Sequence, residues 1–563
     1  MSTFERATTV PGLLRGAARR FGSHPAVVDG ETELNYRELA ALAEQAARAF
    51  RACGTRPGER VALWMPNRAE YIVAALGALS AGAALVPLNT RYRGQEAAAI
   101  LARSRATTLV TSNSFLGTDY LGLLREAAAP GAAVSGPLPG LPFLRTLVDV
   151  PSGGEPHSPG TLSWSRFLER SGEVHVEEAR AVAAAVQGDD LCDVLFTSGT
   201  TGRPKGVMSA HRQTVDVARI WAAGARLTRQ DRYAIVNPFF HGFGYKAGII
   251  AALGAGATVY PVATLDAEAL LALVEQERIS VMPGTPALFL TLLEHPRRTD
   301  YDLSSLRFAT AGAATVPESL FSRMRDELGF TEVAQAYGLT ECIMVSRSRA
   351  GEDPRHIAET TGPPVPGIEL RLVDATSGAE VPVGADGEIL VRGRNVMLGY
   401  FEDEIATREA LDTDGWLHTG DIGRLDDHGC LKITDRLKDM FTVGGFNVYP
   451  AEVENVLAAH PDVSEAAVVA RPDPRLGSAG HAFVVPVLGA APDPAELIAH
   501  CRTRLANFKV PRDLTLVASL PRNASGKIVK RELRAAEPGP DLPASPGPAR
   551  TEGTPATRRP RRH

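Results

Sequence analysis

The most informative segment of the chain is Phe196-Thr-Ser-Gly-Thr-Thr-Gly-Arg-Pro-Lys-Gly206, which directly follows the apolar pair Val194-Leu195. Gly199 and Gly202 allow backbone N–H groups to converge on an anion. Hydroxyl donors and a mobile ammonium surround them, on Thr197, Ser198, Thr200, Thr201 and Lys205. The segment departs from the GxxxxGK[ST] pattern, because Pro204 comes directly before the lysine. It therefore predicts a polyphosphate-binding loop of a different kind.

On both sides of this loop, helical periodicity alternates with short apolar runs. Apolar residues recur at steps of three and four over 39–50 and predict a helix. Strands are predicted at Arg60–Trp64, 84–88, 108–110, 257–260 and 307–310. The apolar stretch 71–88 approaches the length of a membrane span, but Gly82 and Pro87 interrupt it, and we expect a buried helix running into a core strand. This alternation predicts an α/β fold with parallel sheets.

The composition is that of an ordinary globular protein. The chain has 563 residues, of which 44% are hydrophobic and 22% charged, and its net charge of −5 argues against a nucleic-acid binder. Five dispersed cysteines without a Cys/His cluster argue against a disulfide framework and a zinc site. The first 20 residues lack the apolar run of a signal peptide, and we expect a cytoplasmic protein.

Changes of texture along the chain predict its domains. The Gly-, Pro- and Ser-rich stretch 129–163 predicts a surface excursion, and short strands from Gly387 onward predict a β-rich subdomain. A separate unit is predicted from helices at 452–459 and 494–505 and strands at 464–470 and 480–486. We expect a large domain at 1–435, a small mobile α+β domain at 436–535, and a disordered Pro-, Gly- and Arg-rich tail at 536–563.

The phosphate-loop segment resembles the signature of the adenylate-forming superfamily, which includes acyl-CoA synthetases, luciferases and peptide-synthetase adenylation domains. Further matches occur in the superfamily's order, at AYGLTE (336–341), GWLHTGD (415–421), TDRLKD (434–439), GGFNVYP (444–450) and LPRNASGK (520–527). The resemblance spans nearly the whole chain. It implies an enzyme that attacks the α-phosphorus of ATP with a carboxylate and forms an acyl-adenylate and pyrophosphate.

The resemblance also implies roles for residues of the nucleotide site. The loop Thr197–Lys205 would hold the β- and γ-phosphates, Glu341 would bind Mg²⁺, and Thr340 would touch the α-phosphate. The adenine would lie among Gly312, Ala313, Ala314, Ala336, Tyr337 and Gly338. Asp421 would accept hydrogen bonds from the ribose hydroxyls, and Arg436 would assist it.

Lysine is scarce, which draws attention to the lysines that remain. Only seven of the 60 basic residues are lysines, so those seven are enriched for positions that need a compact ammonium. By resemblance, Lys527 reaches the substrate carboxylate and the α-phosphate during adenylation, and Lys438 lies at the hinge of a rotating small domain. The same rotation would bring Gly444 and Gly445 toward the pantetheine arm of coenzyme A.

The acyl side is represented by the segment Asn237-Pro-Phe-Phe-His-Gly-Phe-Gly-Tyr-Lys246. By resemblance, His241 lies near the substrate carboxylate and gates the acyl pocket. Phe243 and Tyr245 are the further substrate-side candidates. We also expect the Lys246 ammonium to meet a polar group on the substrate.

The segments PFFHGFGYKAG and GGFNVYPAEVE are similar to one actinobacterial branch of the superfamily. That branch holds fatty-acid CoA ligases and ligases of the propanoate side chain of a steroid fragment. The resemblance implies a ligase that joins a hydrophobic monocarboxylic acid to coenzyme A, with ATP and Mg²⁺, and a homodimer as the default assembly. The alternatives are an acyl-AMP ligase that loads a carrier protein, a peptide-synthetase adenylation domain, and a non-catalytic nucleotide-binding relative.

Lys527→Ala is expected to separate the two half-reactions. Loss of the ammonium should slow adenylate formation by about 100-fold or more, while thioester formation from supplied acyl-AMP continues. Gly445→Leu, which adds bulk to the pantetheine path, should show the reverse pattern. Both rates can be followed by mass spectrometry, and equal loss of both in Lys527→Ala would contradict the assigned role.

Overall fold

A computed structural model describes residues 3–5, 7–129, 138–151, 157–197, 204–312, 318–375, 377–436, 439, 441–443, 446–448, 450–473, 477–505, 507–522 and 528–535. The chain forms two compact units, the first from 1–419 and 423–433 and the second from 420–422 and 434–563. Among the described residues, no helix combines the length and the apolar character needed to cross a membrane.

The strands, in chain order, are β1 (Pro25–Asp29), β2 (Thr32–Asn35), β3 (Arg60–Trp64), β4 (Ala84–Pro87), β5 (Ala106–Thr111), β6 (Thr146–Asp149), β7 (Leu162–Ser163), β8 (Leu191–Thr197), β9 (Lys205–Ala210), β10 (Arg232–Ile235), β11 (Thr258–Pro261), β12 (Phe308–Gly312), β13 (Glu332–Leu339), β14 (Cys342–Arg347), β15 (Ile368–Val373), β16 (Gly387–Gly393), β17 (Gly399–Tyr400), β18 (Leu417–Leu425), β19 (Leu431–Arg436), β20 (Phe441–Val443), β21 (Phe446–Val448), β22 (Val463–Asp473), β23 (Gly477–Pro486) and β24 (Asp513–Leu516).

The helices are α1 (Val10–Phe21), α2 (Tyr36–Ala52), α3 (Ala69–Ser80), α4 (Gly94–Ser104), α5 (Tyr120–Ala128), α6 (Trp164–Glu169), α7 (Val176–Ala185), α8 (His211–Gly224), α9 (Ala251–Ala255), α10 (Ala267–Glu277), α11 (Pro286–Leu293), α12 (Glu318–Asp326), α13 (Pro354–Glu359), α14 (Glu404–Ala410), α15 (Pro450–Ala458), α16 (Pro494–Arg502) and α17 (Lys530–Ala535). A π-helix, Phe243–Ile250, leads directly into α9.

An eight-stranded sheet forms the centre of the first unit, in the order β17-β9-β8-β4-β3-β5-β6-β7. From β8 through β7 the neighbours pair in parallel, whereas β9 and β17 add antiparallel strands at one edge. The central strands are continuous apolar runs because helices cover both faces of a parallel sheet. The sheet is therefore mixed rather than purely parallel.

Among the described residues, three smaller sheets accompany the central one, and the last of them lies mostly in the first unit but includes 420–422 and 434–436 of the second. Their orders are β10-β11-β1-β2, β12-β13-β14 and β15-β16-β18-β19. Parallel bridges from Val281 to Tyr233 and to Phe308 connect the first two of these. The last sheet is the predicted β-rich subdomain that begins near Gly387.

The packing of α2 on α3 shows why the early helical periodicity matters. α3 is buried along its whole length, and a Cβ on Gly77 would lie 2.6 Å from the Cβ of Ala46 on α2. Only glycine permits this close approach. The stretch 71–88 is thus a buried helix followed by a core strand, as predicted.

The second unit has its own apolar core, formed by β22, β23 and β24 with α15, α16 and α17. The predicted strands 464–470 and 480–486 fall inside β22 and β23. The helix predicted over 494–505 ends earlier, at Arg502, because Thr503 caps it with a backbone N–H bonded to the carbonyl of Ala499.

The prediction of a surface excursion at 129–163 is wrong in part. β6 and β7 lie in this stretch and extend the central sheet in parallel to β5, with Val148 fully buried. Short strands among Gly, Pro and Ser were hidden by the composition around them. The division into 1–435, 436–535 and 536–563 stays a prediction, and residues 536–563 lie outside the described residues.

Candidate active site

The phosphate-loop segment begins in β8 and ends in β9, two strands that pair in antiparallel orientation. Thr197 ends β8 and pairs with Lys205, which begins β9. The Thr197 hydroxyl donates to the Lys205 carbonyl oxygen at 3.5 Å. Ser198, Gly199, Thr200, Thr201 and Gly202 lie outside the described residues. The two described ends of the loop are thus held opposite one another by sheet pairing.

A tyrosine joins these paired strands to the predicted magnesium ligand. β17 pairs with β9 so that Tyr400 lies opposite Val207. The Lys205 Nζ lies 4.8 Å from the centre of the Tyr400 ring, and the Tyr400 hydroxyl donates to Glu341 Oε1 at 2.8 Å. The ring face attracts the ammonium while the hydroxyl fixes the carboxylate. Lys205 and Glu341 are therefore brought to one tyrosine.

Sequence reasoning missed Tyr400. Burial raises the pKa of its hydroxyl, and the neighbouring Glu341 carboxylate raises it further, so the tyrosine remains a neutral donor. The segment just before its strand also contacts Glu341 through the backbone, since the Met397 N–H donates to the Glu341 carbonyl oxygen at 2.8 Å. The local sequence offers one hint of Tyr400, the glycine that precedes it, because Gly399 has a φ of +138°, which favours glycine.

The segments predicted to enclose the adenine are neighbours in one sheet. Gly312, at the end of β12, pairs in parallel with Ala336 of β13. Tyr337 and Gly338 follow in β13, and Thr340 and Glu341 lie in the turn before β14. A Cβ on Gly338 would collide with the Ile343 carbonyl oxygen, so this turn requires glycine. Ala313 and Ala314 lie outside the described residues.

The predicted ribose ligand lies within β18, which neighbours β19 in its sheet. The Asp421 side chain is buried there, and Arg436 is the last residue of β19. Lys438, Gly444, Gly445 and Lys527 lie outside the described residues, so their roles stay predictions.

The acyl-side segment enters the π-helix. His241 is exposed just before it, and its Nδ1 accepts the Phe243 N–H at 3.2 Å. Phe243 packs edge-on against Trp221, with ring centres 4.9 Å apart. The Tyr245 side chain is fully buried, 3.6 Å from the Cys192 sulfur, and burial raises the pKa of its hydroxyl. π-helical turns are frequent at functional sites.

Lys246 lies inside the protein. Its Nζ lies 3.0 Å from Asp193 Oδ1 and donates to the Ser209 hydroxyl at 2.8 Å, and the two charged side chains are 1% and 0% exposed. Thr214 donates to the other Asp193 oxygen at 2.9 Å. Asp193 belongs to β8 and Ser209 to β9. The expected contact between Lys246 and the substrate stays a prediction, but the protein itself supplies two partners for this ammonium.

The paired strands that hold Thr197 and Lys205, the tyrosine-bound Glu341 carboxylate and the paired β12–β13 segments bring together residues that the resemblance predicts for a nucleotide site. The family model "AMP-binding enzyme" matches residues 14–401, and "AMP-binding enzyme C-terminal domain" matches 452–527. The chain belongs to the AMP-binding enzyme family. The predicted superfamily and enzyme class, ATP-dependent acid–CoA ligation, are confirmed.

Two similar proteins are 3-[(3aS,4S,7aS)-7a-methyl-1,5-dioxo-octahydro-1H-inden-4-yl]propanoyl:CoA ligases. The protein from Rhodococcus jostii is 49% identical over 531 residues, covering 94% of this chain and 99% of that protein. The one from Mycobacterium tuberculosis is 48% identical over 527 residues, covering 93% and 98%. The solved structure of ATP-bound MatB from Rhodopseudomonas palustris matches with a TM-score of 0.80 at 28% identity, covering 94% of this chain and 98% of MatB. These likenesses confirm the predicted fold class.

Tyr400→Phe should lower kcat/KM for adenylation by about tenfold to 100-fold, because it removes one hydrogen bond to a charged carboxylate and leaves the ring over Lys205. Pyrophosphate release at varied Mg²⁺ measures the effect. Tyr260→Phe is the matched control, since it removes a similar 3.0 Å tyrosine–glutamate contact to Glu277 outside this site. Equal kinetics in the two variants would rule out a positioning role for Tyr400.

Lys246→Met should lower the free energy of unfolding by about 3–5 kcal/mol, because it leaves the buried Asp193 carboxylate uncompensated. Adding Asp193→Leu should recover part of that loss. Chemical denaturation measures both. A change in the ranking of acid substrates at unchanged stability would instead support the substrate contact.

Proposed function

We propose that the acid activated by this enzyme is a hydrophobic propanoate carried on a fused ring system of the steroid type, and that its product is the coenzyme A thioester. The observation that carries this proposal is the identity of nearly half of all residues, over almost the full length of both chains, with two ligases named for the same bicyclic propanoate. Linear fatty acids are the second substrate class, in keeping with the acyl-CoA ligase class of the family.

The charged and polar residues around Tyr400 suit a reaction in which a carboxylate anion approaches the triphosphate of ATP. Adenylation brings a carboxylate to a triphosphate, so the site needs cations and directed donors more than a general base. Lys205 offers its ammonium beside the loop, and Tyr400 contacts both charged groups, since its ring faces that ammonium and its hydroxyl donates to Glu341. The ordered positions of both charges reduce the reorganisation required when the nucleotide binds.

Glu341 fits the magnesium role. Tyr400 occupies one of its oxygens and thereby fixes the orientation of the carboxylate, and carboxylate oxygen is the ligand that Mg²⁺ prefers. When bound, the ion would neutralise phosphate charge. Thr340 would contact the α-phosphate, and the buried Asp421, with Arg436, would accept from the ribose.

The acid would enter beside His241 and Phe243. His241 is exposed, whereas residues 244–250 of the π-helix are buried. The carboxylate of the acid would therefore approach His241 from water, and the apolar part of the acid would face the protein. Lys527 would then bridge the carboxylate and the α-phosphate, and Gly444 and Gly445 would admit the pantetheine arm.

We infer a cytoplasmic enzyme, because all five cysteines are free and coenzyme A and ATP are substrates of that compartment. A homodimer is the proposed assembly.

The test is a panel of acids with purified enzyme, ATP and Mg²⁺, each with and without coenzyme A, read by mass spectrometry. The panel contains the bicyclic propanoate, its decarboxylated ring ketone as a non-acid control, fatty acids from short to long, and aryl acids. We expect the thioester of the bicyclic propanoate, formed only with coenzyme A, at the highest kcat/KM.

Other outcomes would overturn specific parts of the proposal. A fatty acid preferred by about tenfold or more would replace the ring-bearing acid as the substrate. Acyl-adenylate that accumulates and ignores coenzyme A would indicate a carrier-protein loader. ATP binding without adenylate from any acid would indicate a non-catalytic relative.

A further inference from the structure

Three potential metal ligands converge in the first unit, and none of them is a residue assigned to the nucleotide. Glu352 precedes α13, His356 lies within α13, and Cys430 follows the turn between β18 and β19. One donor atom from each lies within 4.8 Å of the donors of the other two. The His356 Nδ1 and Glu352 Oε2 are 3.7 Å apart, and the Cys430 side chain is fully buried.

The Glu352 carboxylate points to a missing cation. Both of its oxygens are buried, and neither has a hydrogen-bond donor among the described residues. A buried carboxylate without a hydrogen-bond donor is costly, because it loses its hydration and has only the longer ion-pair contacts to His356 and Arg349, at 3.7 and 3.8 Å, in return. A cation held between Glu352, His356 and Cys430 would satisfy it.

The histidine is already oriented for such a cation. Its Nε2 lies 3.0 Å from Asp426 Oδ2, and its Nδ1 lies on the other side, 3.7 Å from Glu352 Oε2. Because the Asp426 carboxylate holds the Nε2 side of the ring, Nδ1 is the ring nitrogen placed to bind a metal beside Glu352. Carboxylate–histidine–metal chains of this kind fix metal-bound histidines in many proteins.

We propose that Glu352, His356 and Cys430 form a zinc site. Thiolate, imidazole and carboxylate together suit Zn²⁺, and its bonds of about 2.0–2.3 Å place tetrahedral ligand atoms about 3.3–3.8 Å apart. The His356–Glu352 separation already falls in that range. The Cys430 sulfur lies within 4.8 Å of the other two donor atoms, so it needs to approach by about 1.5 Å at most. Water would take the fourth position.

Arg349 is the cation that competes for this position. Its guanidinium lies 3.8 Å from Glu352 Oε1 and 3.9 Å from the Cys430 sulfur, and its side chain is 55% exposed, so it can swing into solvent. Burial raises the pKa of the Cys430 thiol, as do Asp426 and Glu352, and Arg349 opposes them. Zinc binding therefore releases the thiol proton as the Zn–S bond forms.

The site would act as a clip. It would tie the start of α13 to the turn that ends β18, and β18 carries Asp421. The turn is already shaped by Asp426, whose Oδ1 accepts the backbone N–H groups of His428 and Cys430 at 2.9 and 2.8 Å. A metal would add a third, tighter constraint to this hairpin.

The experiment uses the full chain, stripped with a chelator and titrated with Zn²⁺ and, separately, with Co²⁺. We expect one tightly bound metal per chain, a thiolate-to-cobalt charge-transfer band and a rise in Tm with Zn²⁺. Asp426→Asn should weaken zinc binding about 10- to 100-fold, and Arg349→Met should strengthen it.

Cys430→Ser should abolish the charge-transfer band. Cys53→Ser is the matched control, because Cys53 also lies beside an arginine, Arg170, at 3.6 Å, and that variant should keep the band. Glu341→Gln should bind zinc like the parent. A parent enzyme without a charge-transfer band, or with zinc affinity equal to that of Asp426→Asn, would overturn the proposal and leave the cluster an ion-pair network centred on Arg349.

Discussion

The antiparallel pairing of β8 with β9 is the constraint on which the nucleotide site depends. β8 is anchored in the parallel part of the central sheet through β4, and β9 reverses direction after the loop. The hairpin thereby presents Thr197 and Lys205 at one end of a buried strand. Because β17 pairs with β9 in turn, Tyr400 lies at the same edge of the sheet. Strand pairing thus brings β17 next to β9, from which it is far away in the sequence.

The same two strands also contact the segment predicted to bind the acid. Asp193 of β8 and Ser209 of β9 both contact the Lys246 ammonium, which is carried by the π-helix that follows His241. A buried pair of this kind contributes little net stability compared with apolar packing, but removal of either partner is costly. Its physical effect is to fix the register of the π-helix against the pair of strands β8 and β9. A shift of either element would have to break the ion pair between Lys246 and Asp193, which is buried and cannot be replaced by hydration.

Features carried by contiguous residues could be predicted from the sequence, whereas contacts between residues far apart in the sequence could not. The buried helix and strand in 71–88 and the strand at Arg60–Trp64 come from contiguous patterns, and the structure has them near their predicted bounds. The described ends of the phosphate-loop segment lie in paired strands. Tyr400 could not be found, because its importance comes from a two-residue strand that pairs with β9 far away in the sequence. β6 was missed for the opposite reason, since a short Thr-Leu-Val-Asp strand is surrounded by residues typical of turns. Glu352, His356 and Cys430 likewise share no sequence spacing that would predict a metal site.

The scarcity of lysine becomes meaningful once the side chains are in place. Arginine supplies nearly all the exposed ion pairs, where a planar fork and a point charge serve equally well. At Lys246 they do not, because the cavity between Asp193 and Ser209 is closed to water and a guanidinium would bring further donors that need partners there. At Lys205 the ammonium faces the Tyr400 ring. Lys509 and Lys530, by contrast, form ion pairs with Glu452 and Glu454 that an arginine could also form, so the scarcity of lysine is informative at Lys246, where the surroundings have room for one compact charge only.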